Sequence, residues 1–350
     1  MKINELFDTE LNFEITGIVD DSRDVKDGYL FVATKGFNVD HYDYIDMAIR
    51  NGAVCVVADR EVNCSVPVFY VEDINNYYVL LCKKFNNILD NDFDYIGITG
   101  TDGKTTSTSV INQILSKYKK CALIGTNGMF IGEDKYNTSN TTPCVSELYD
   151  VLGIAKANGC KQVVMEVSSE ALLHNRVEGI KYSIVGFTNI TEDHLNVHGS
   201  LGNYIECKLK LLNYLKDDGI VVYNGDDVNL CQIKGYSFGV NQDCDFVISD
   251  VVEESNVVKF TITHDGIIYD IVSPLVGLYN VYNVTMAFAI CLLYGVDSSF
   301  IIECIKDLKP IYGRREYLDF GQNFDLILDY AHTFNGIKSI LESCENYKTI

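Results

Sequence analysis

The chain has 350 residues, 47% of them hydrophobic and only 4 of them proline, which suits a packed globular core in two or three domains at roughly 100–200 residues each. Its 28 basic and 49 acidic residues leave a net charge of −21, and this excludes the basic footprint of a nucleic-acid binder. The N-terminus has no basic stretch followed by an apolar core, no apolar run approaches the ~18 residues of a membrane span, and the 12 cysteines are scattered without a C-x-x-C pair; a cytoplasmic protein with reduced thiols is expected.

Along the chain, the apolar runs at residues 29–33 and 53–57 predict buried strands, and 77–89 predicts a helix. They form a small α/β unit, with a boundary near Asn91-Asp92. From Tyr95 the pattern alternates. Strands are predicted at 95–99, 162–167, 184–188 and 220–223, and helices at 105–119, 145–158 and 201–215. Such alternation predicts a mostly parallel sheet with helices on both faces. Residues 259–269 interrupt it as a hairpin turning at Asp265-Gly266. Helices follow at 280–293 and from Ser299. After Gly313-Arg314-Arg315 one strand (324–330) and one helix (335–344) begin a further α/β unit, too little to close a core of its own. The predicted division is 1–91, 92–312 and 313–350.

The strongest local signal is Gly100-Thr101-Asp102-Gly103-Lys104-Thr105-Thr106, set between a strand and a helix. Glycines let backbone amides approach phosphates, and a helix N-terminus adds partial positive charge. Lys104 is placed to reach the β- and γ-phosphates and Thr105 to bind magnesium. Ile98 stands where the eight-residue phosphate-loop pattern wants glycine, so the match is to the shorter G-T-x-G-K-T form. Glu166, at the end of the 162–167 strand, reads either as a magnesium ligand at the carboxyl edge of the sheet or as a surface carboxylate beside a serine cap. His194, in Thr188-Asn-Ile-Thr-Glu-Asp-His194, reads as a ligand or as a structural histidine. By composition alone Lys208 is a solvated surface lysine.

Taken together and in this order, these motifs resemble the Mur ligase family. The resemblance adds Asn140-Thr141-Thr142-Pro143, Ser168-Ser169, His198-Gly199, Asn280 to Asn283, and Asp329-Tyr-Ala-His-Thr333; the Thr-Thr-Pro and Ser-Ser variants look like its MurE branch. Near the N-terminus, Asp21-Ser22-Arg23, Lys35-Gly36 and Asp40-His41 look like the family's uridine-nucleotide-binding domain. The resemblance covers essentially the whole chain. It implies an N-terminal UDP-substrate-binding domain, a central ATP-binding domain and the start of a third, Rossmann-like α/β domain.

It also implies roles. Ser22 and His41 would lie near the uracil and diphosphate, and Asn140, Thr141, Thr142, Ser168 and Arg176 would bind the muramoyl-peptide. Lys104 would contact the ATP phosphates, Asn283 the adenine, and Arg314 and Asp329 the phosphate and ribose. Thr105 and Glu166 would hold one Mg2+ and His194 a second. Lys208 matches the lysine that the family carboxylates with CO2. The implied reaction joins UDP-MurNAc-L-Ala-D-Glu to a free amino acid, diaminopimelate or lysine, through an acyl phosphate, in a monomer. A folylpolyglutamate-like ligase and a non-catalytic nucleotide-binding remnant are the alternatives. Four positions depart from the family pattern: Glu170 for histidine, Asp102 for asparagine, and Tyr312 and Phe334 for proline.

Overall fold

A computed structural model describes residues 1–36, 39–254 and 257–344. The chain forms two compact units. The first comprises Met1–Asp92, Pro143–Asn158 and His174–Ile180, and the second comprises Phe93–Thr142, Gly159–Leu173 and Lys181–Ile350. The helix Val145–Ala157, which by sequence falls in the 92–312 segment, thus packs in the first unit.

The first unit carries a four-stranded, all-parallel sheet in chain order: Gly17–Val19, Tyr29–Val32, Ala53–Ala58 and Val68–Tyr70. The two longer strands are the two that the sequence predicts. The two outer strands have three residues each, too few for a periodic signal. Phe31, Ala33, Ile45, Ala48 and Val56 close its core. The helix Ile74–Phe85 starts where Asp73 accepts a hydrogen bond from the Asn76 amide, the usual way of satisfying an orphan N–H. It begins three residues before the predicted start because Ile74 supplies the first buried contact. Tyr149 of the helix Val145–Ala157 donates to the Glu178 carbonyl (3.0 Å), and Asn86 donates to Asp150 (2.9 Å).

The second unit is built on an eleven-stranded sheet. Its centre is parallel. From one side to the other run Phe246–Glu253, Tyr236–Gly239, Leu215–Asn224, Tyr182–Phe187, Asp94–Thr99, Gln162–Glu166 and Cys121–Gly125. Antiparallel strands finish both edges: Val258–His264 and Ile267–Ser273 on one, Gly128–Ile131 and Asp134–Tyr136 on the other. The hairpin at Asp265-Gly266 is found as predicted, with both turn residues at positive φ.

Two helices form the core against this sheet. In Lys104–Tyr118, Val110, Ile111, Ile114 and Leu115 make the buried stripe. In Leu278–Leu293, every residue from Val284 to Cys291 is buried, as expected of a helix that is apolar all round. The predicted 201–215 helix divides into an α-helix, Leu201–Leu209, and a 3-10 turn, Lys210–Tyr214. Where one strand is predicted after residue 313, there are two. Glu316–Leu318 pairs antiparallel with Leu326–Leu328, and the helix Phe334–Glu342 follows. No helix among the described residues is long and apolar enough to cross a membrane.

Phe288 is fully buried within this core. Phe288→Ala is expected to destabilise the protein by about 3–5 kcal/mol through lost burial and the cavity left behind; urea unfolding followed by circular dichroism measures it.

Candidate active site

Parallel strands deliver their carboxyl ends to one edge, and there the loops of the second unit converge. The central strand Asp94–Thr99 runs directly into the phosphate loop. Gly100 has φ +150°, and a Cβ there would stand 1.8 Å from Thr188 Oγ1. Gly103 has φ +84°, and a Cβ there would stand 2.4 Å from Asn283 Oδ1. Only glycine fits either position. The loop is fastened to the neighbouring 188–191 segment. Thr188 Oγ1 donates to the Asp102 carbonyl (2.6 Å), the Asp102 amide donates to Asn189 Oδ1 (3.0 Å), and the Thr191 amide donates to Thr101 Oγ1 (3.0 Å).

Two lysines meet on one carbonyl. Lys104 Nζ donates to the Gly100 oxygen at 2.9 Å and Lys208 Nζ donates to the same oxygen at 2.6 Å. The composition-based reading of Lys208 as a solvated surface residue is corrected here, for it is 1% exposed. Its amine lies over the Tyr204 ring, 4.5 Å from the centroid. Burial first, and the Lys104 charge second, hold the Lys208 amine well below the usual lysine range. Burial also lowers Lys104, against the pull of Glu166 and Asp102.

Glu166 is 1% exposed, so its reading as a surface carboxylate is likewise corrected. Thr105 Oγ1 donates to Glu166 Oε2 at 2.9 Å, and the Thr126 amide donates to Oε1 at 2.9 Å. Arg314 Nη2 donates to Thr105 Oγ1 at 2.9 Å. A hydroxyl and a carboxylate facing one point beside a phosphate loop fit Mg2+, which takes few protein ligands and shares its shell with phosphates and water. Among the described residues no group of three His, Cys, Asp or Glu forms a protein-only metal cage. Behind this pair, Thr142 Oγ1 donates to the Glu166 carbonyl (2.9 Å) and accepts from the Ser168 amide (3.0 Å).

Beside the loop lies a cavity of about 580 Å³, lined by Asp102, Gly103, Thr106, Asn283, Arg314 and Asp329 among others. That volume suits a nucleoside-sized ligand. Asp329 accepts from the Arg315 amide (2.7 Å), and Thr333 donates to Asp102 (3.0 Å).

His194 is exposed in a left-handed backbone, with Nε2 3.3 Å from Asp193, and its ring centroid is 6.5 Å from that of Tyr204. Asn140 is exposed and donates to Ser139, while Thr141 Oγ1 is 3.2 Å from Thr126 Oγ1. Ser22, His41 and Arg176 belong to the first unit.

Comparison with known proteins gives these features a family. Residues 98–291 match the Mur ligase middle domain, and residues 14–84 match the Mur ligase family catalytic domain. The UDP-N-acetylmuramoyl-L-alanyl-D-glutamate–2,6-diaminopimelate ligase of Bacillus cereus is 35% identical over 349 residues, which are 96% of this chain and 71% of that protein. The chain belongs to the Mur ligase family. The enzyme of the same name from Listeria monocytogenes is 32% identical over 377 residues, covering 99% of this chain and 75% of its own. In fold, this Mur ligase superposes on a solved ligase of that name with a TM-score of 0.79 at 24% identity, over 100% of this chain and 75% of that one. The MurF ligase of Thermotoga maritima in complex with ADP gives a TM-score of 0.66 at 21% identity, over 93% and 74%. As a Mur ligase, the protein is an ATP-dependent amide-bond-forming enzyme of peptidoglycan synthesis.

Sequence reasoning on this Mur ligase gives no role to Thr126 or Tyr204, and names Thr333 only as the end of the Asp329–Thr333 motif. Thr126 follows the strand Cys121–Gly125 at the carboxyl edge; an apolar run ended by Thr-Asn-Gly is the signal for it. Tyr204 lies one helical turn before Lys208, a spacing that puts both on one face. Thr333 has no local signal for its contact, which spans 231 residues.

Gly103→Ala is expected to lose about 1–3 kcal/mol from left-handed strain and to weaken ATP binding by displacing Asn283. Urea unfolding and calorimetric titration with a non-hydrolysable ATP analogue check the two effects.

Proposed function

We propose that the protein joins diaminopimelate to UDP-MurNAc-L-Ala-D-Glu. The observation that carries this reading is the pair of lysine amines on the Gly100 carbonyl, beside the hydroxyl–carboxylate pair of Thr105 and Glu166. Relatives carrying the diaminopimelate name, 35% identical over 96% of the chain, support the choice of substrates. They also favour this reading over a folylpolyglutamate-like one, for which the likeness is one of fold, at 16% identity. Ser22 and His41 would hold the UDP portion in the first unit. Asn140, Thr141, Thr142 and Ser168 of the second unit would contact the muramoyl-peptide.

In this reading the glutamyl carboxylate attacks the γ-phosphorus of ATP, and ADP leaves. The amino group of diaminopimelate then attacks the acyl carbon, inorganic phosphate leaves, and the amine proton passes to solvent. Magnesium, when bound, neutralises the phosphate charge and polarises the P–O bond. Lys104 sets a positive charge against the transferring phosphoryl group. Thr105 and Glu166 offer oxygens to the ion, and the loop amides from Gly100 to Thr106 cradle the phosphates. Asn283 and Asp329 would border the adenosine in the cavity, and Arg314 would turn from Thr105 to the phosphates. A protein nucleophile has no part in this chemistry.

Lys208 fits carboxylation on chemical grounds. Its amine is enclosed beside a second lysine, a setting that favours the neutral, nucleophilic form. Addition of that amine to CO2 forms an N–C bond and releases one proton. A neutral amine beside a cation becomes an anion beside that cation, and the anion would join His194 as a ligand for a second magnesium.

Phosphate release from ATP is expected only with UDP-MurNAc-L-Ala-D-Glu and diaminopimelate both present. Release with L-lysine in its place would correct the amino acid, and release with neither acceptor would overturn the reading. Lys104→Ala is expected to lower turnover by at least about 10²-fold. Lys208→Ala is expected to lose activity to a similar degree and to lack the carbamate resonance that the wild type gives in 13C-bicarbonate. A Lys208→Ala variant with full activity would remove the carbamate role.

A further inference from the structure

The first unit holds a hydrogen-bonded relay that leads from a carboxylate to His41. Asp20 Oδ1 accepts from the Tyr78 hydroxyl at 3.0 Å, and Asp20 Oδ2 accepts from Thr34 Oγ1 at 3.2 Å. Thr34 Oγ1 is in turn 2.9 Å from His41 Nδ1. A threonine hydroxyl has one proton to give. With that proton directed to Asp20, the oxygen can only accept from the ring, so Nδ1 carries the hydrogen. Nε2 is then the nitrogen left for a ligand.

Two further observations bear on that nitrogen. A Cβ on residue 36 would stand 2.7 Å from the Val39 carbonyl and 3.1 Å from His41 Nε2, so glycine there keeps a side chain off that nitrogen. And among the described residues His41 is the one basic side chain within ion-pair reach of Asp20, with Nδ1 3.8 Å from Oδ2. Burial raises Asp20, while His41, Tyr78 and Thr34 oppose that rise. Neighbouring charges are engaged elsewhere: Asp40 pairs with Arg60, and Asp21 pairs with Arg23.

We propose that Asp20 and Thr34 are positioning residues that hold His41 with Nε2 toward a nucleotide phosphate and balance the positive charge the ring takes up there. Nε2 donates only when the ring is protonated, and an imidazolium beside a half-buried carboxylate is a preorganised phosphate donor. Tyr78 fixes the far oxygen of Asp20, so the carboxylate cannot rotate away from Thr34. The proposal rests on the reading that His41 meets the uridine-nucleotide substrate.

The probes are UDP and uridine, titrated by calorimetry into the full chain, with 15N NMR of the His41 ring. Wild type is expected to bind UDP more tightly than uridine and to show hydrogen on Nδ1. Asp20→Asn is expected to weaken UDP roughly tenfold, the scale of one charge-assisted hydrogen bond, and to leave uridine unchanged. Thr34→Val should lose the Nδ1-bound form, and Thr34→Ser should restore it. Wild-type affinity for UDP in both Asp20→Asn and Thr34→Val would overturn the proposal, as would hydrogen on Nε2 in the free wild type. If His41→Gln binds UDP as wild type does, the reading of His41 fails and the relay with it. The NMR result, taken without nucleotide, tells the two failures apart.

Discussion

The catalytic unit is organised around a single peptide carbonyl. The oxygen of Gly100 accepts both the Lys104 and the Lys208 amine, which brings two lysine amines together inside the protein and disfavours a charge on both. Such a pair is unfavourable until an anion arrives. Phosphates on one side and a carbamate on the other would each relieve it, so an electrostatic deficit in the free protein becomes affinity and alignment in the loaded one. The glycine is indispensable, since any side chain at position 100 would occupy the place of the Thr188 hydroxyl.

Everything that frames this carbonyl follows from parallel strand order. Asp94–Thr99 lies between Tyr182–Phe187 and Gln162–Glu166, so their carboxyl ends bring Asn189, Glu166 and the loop to one edge. Glu166 is held from several directions, by the Thr105 hydroxyl and by the amide and hydroxyl of Thr126. A carboxylate so restrained is oriented in advance, and an ion would bind there at little cost in reorganisation. The 313–344 segment reaches the same edge through Arg314 on Thr105 and Thr333 on Asp102.

The first unit uses the same device on a smaller scale. A parallel sheet sets Asp20 after one strand and Thr34 after the next, and a half-buried carboxylate is joined to a histidine through an intervening hydroxyl. In both units a basic side chain is held in place by polar groups packed around it.

The sequence by itself determined the alternating architecture, the phosphate loop and the family, because strand–helix periodicity and the Gly100–Thr106 spacing are local properties. It also carried Thr105 and Glu166 as candidates, since strand ends in such a sheet face the ligand. It could not determine the environment of Lys208. A lysine on an amphipathic helix reads as solvated, and only the packing of Leu201–Leu209 against the phosphate loop turns it inward. The three-residue strands of the first sheet and the first strand of the Glu316–Leu328 ribbon escaped for a related reason, since short pairings draw their stability from neighbours rather than from their own residues. The tertiary structure alone decided the relay through Asp20 and the contact of Thr333 with Asp102, because hydrogen bonds between residues distant in sequence leave no periodic trace in it.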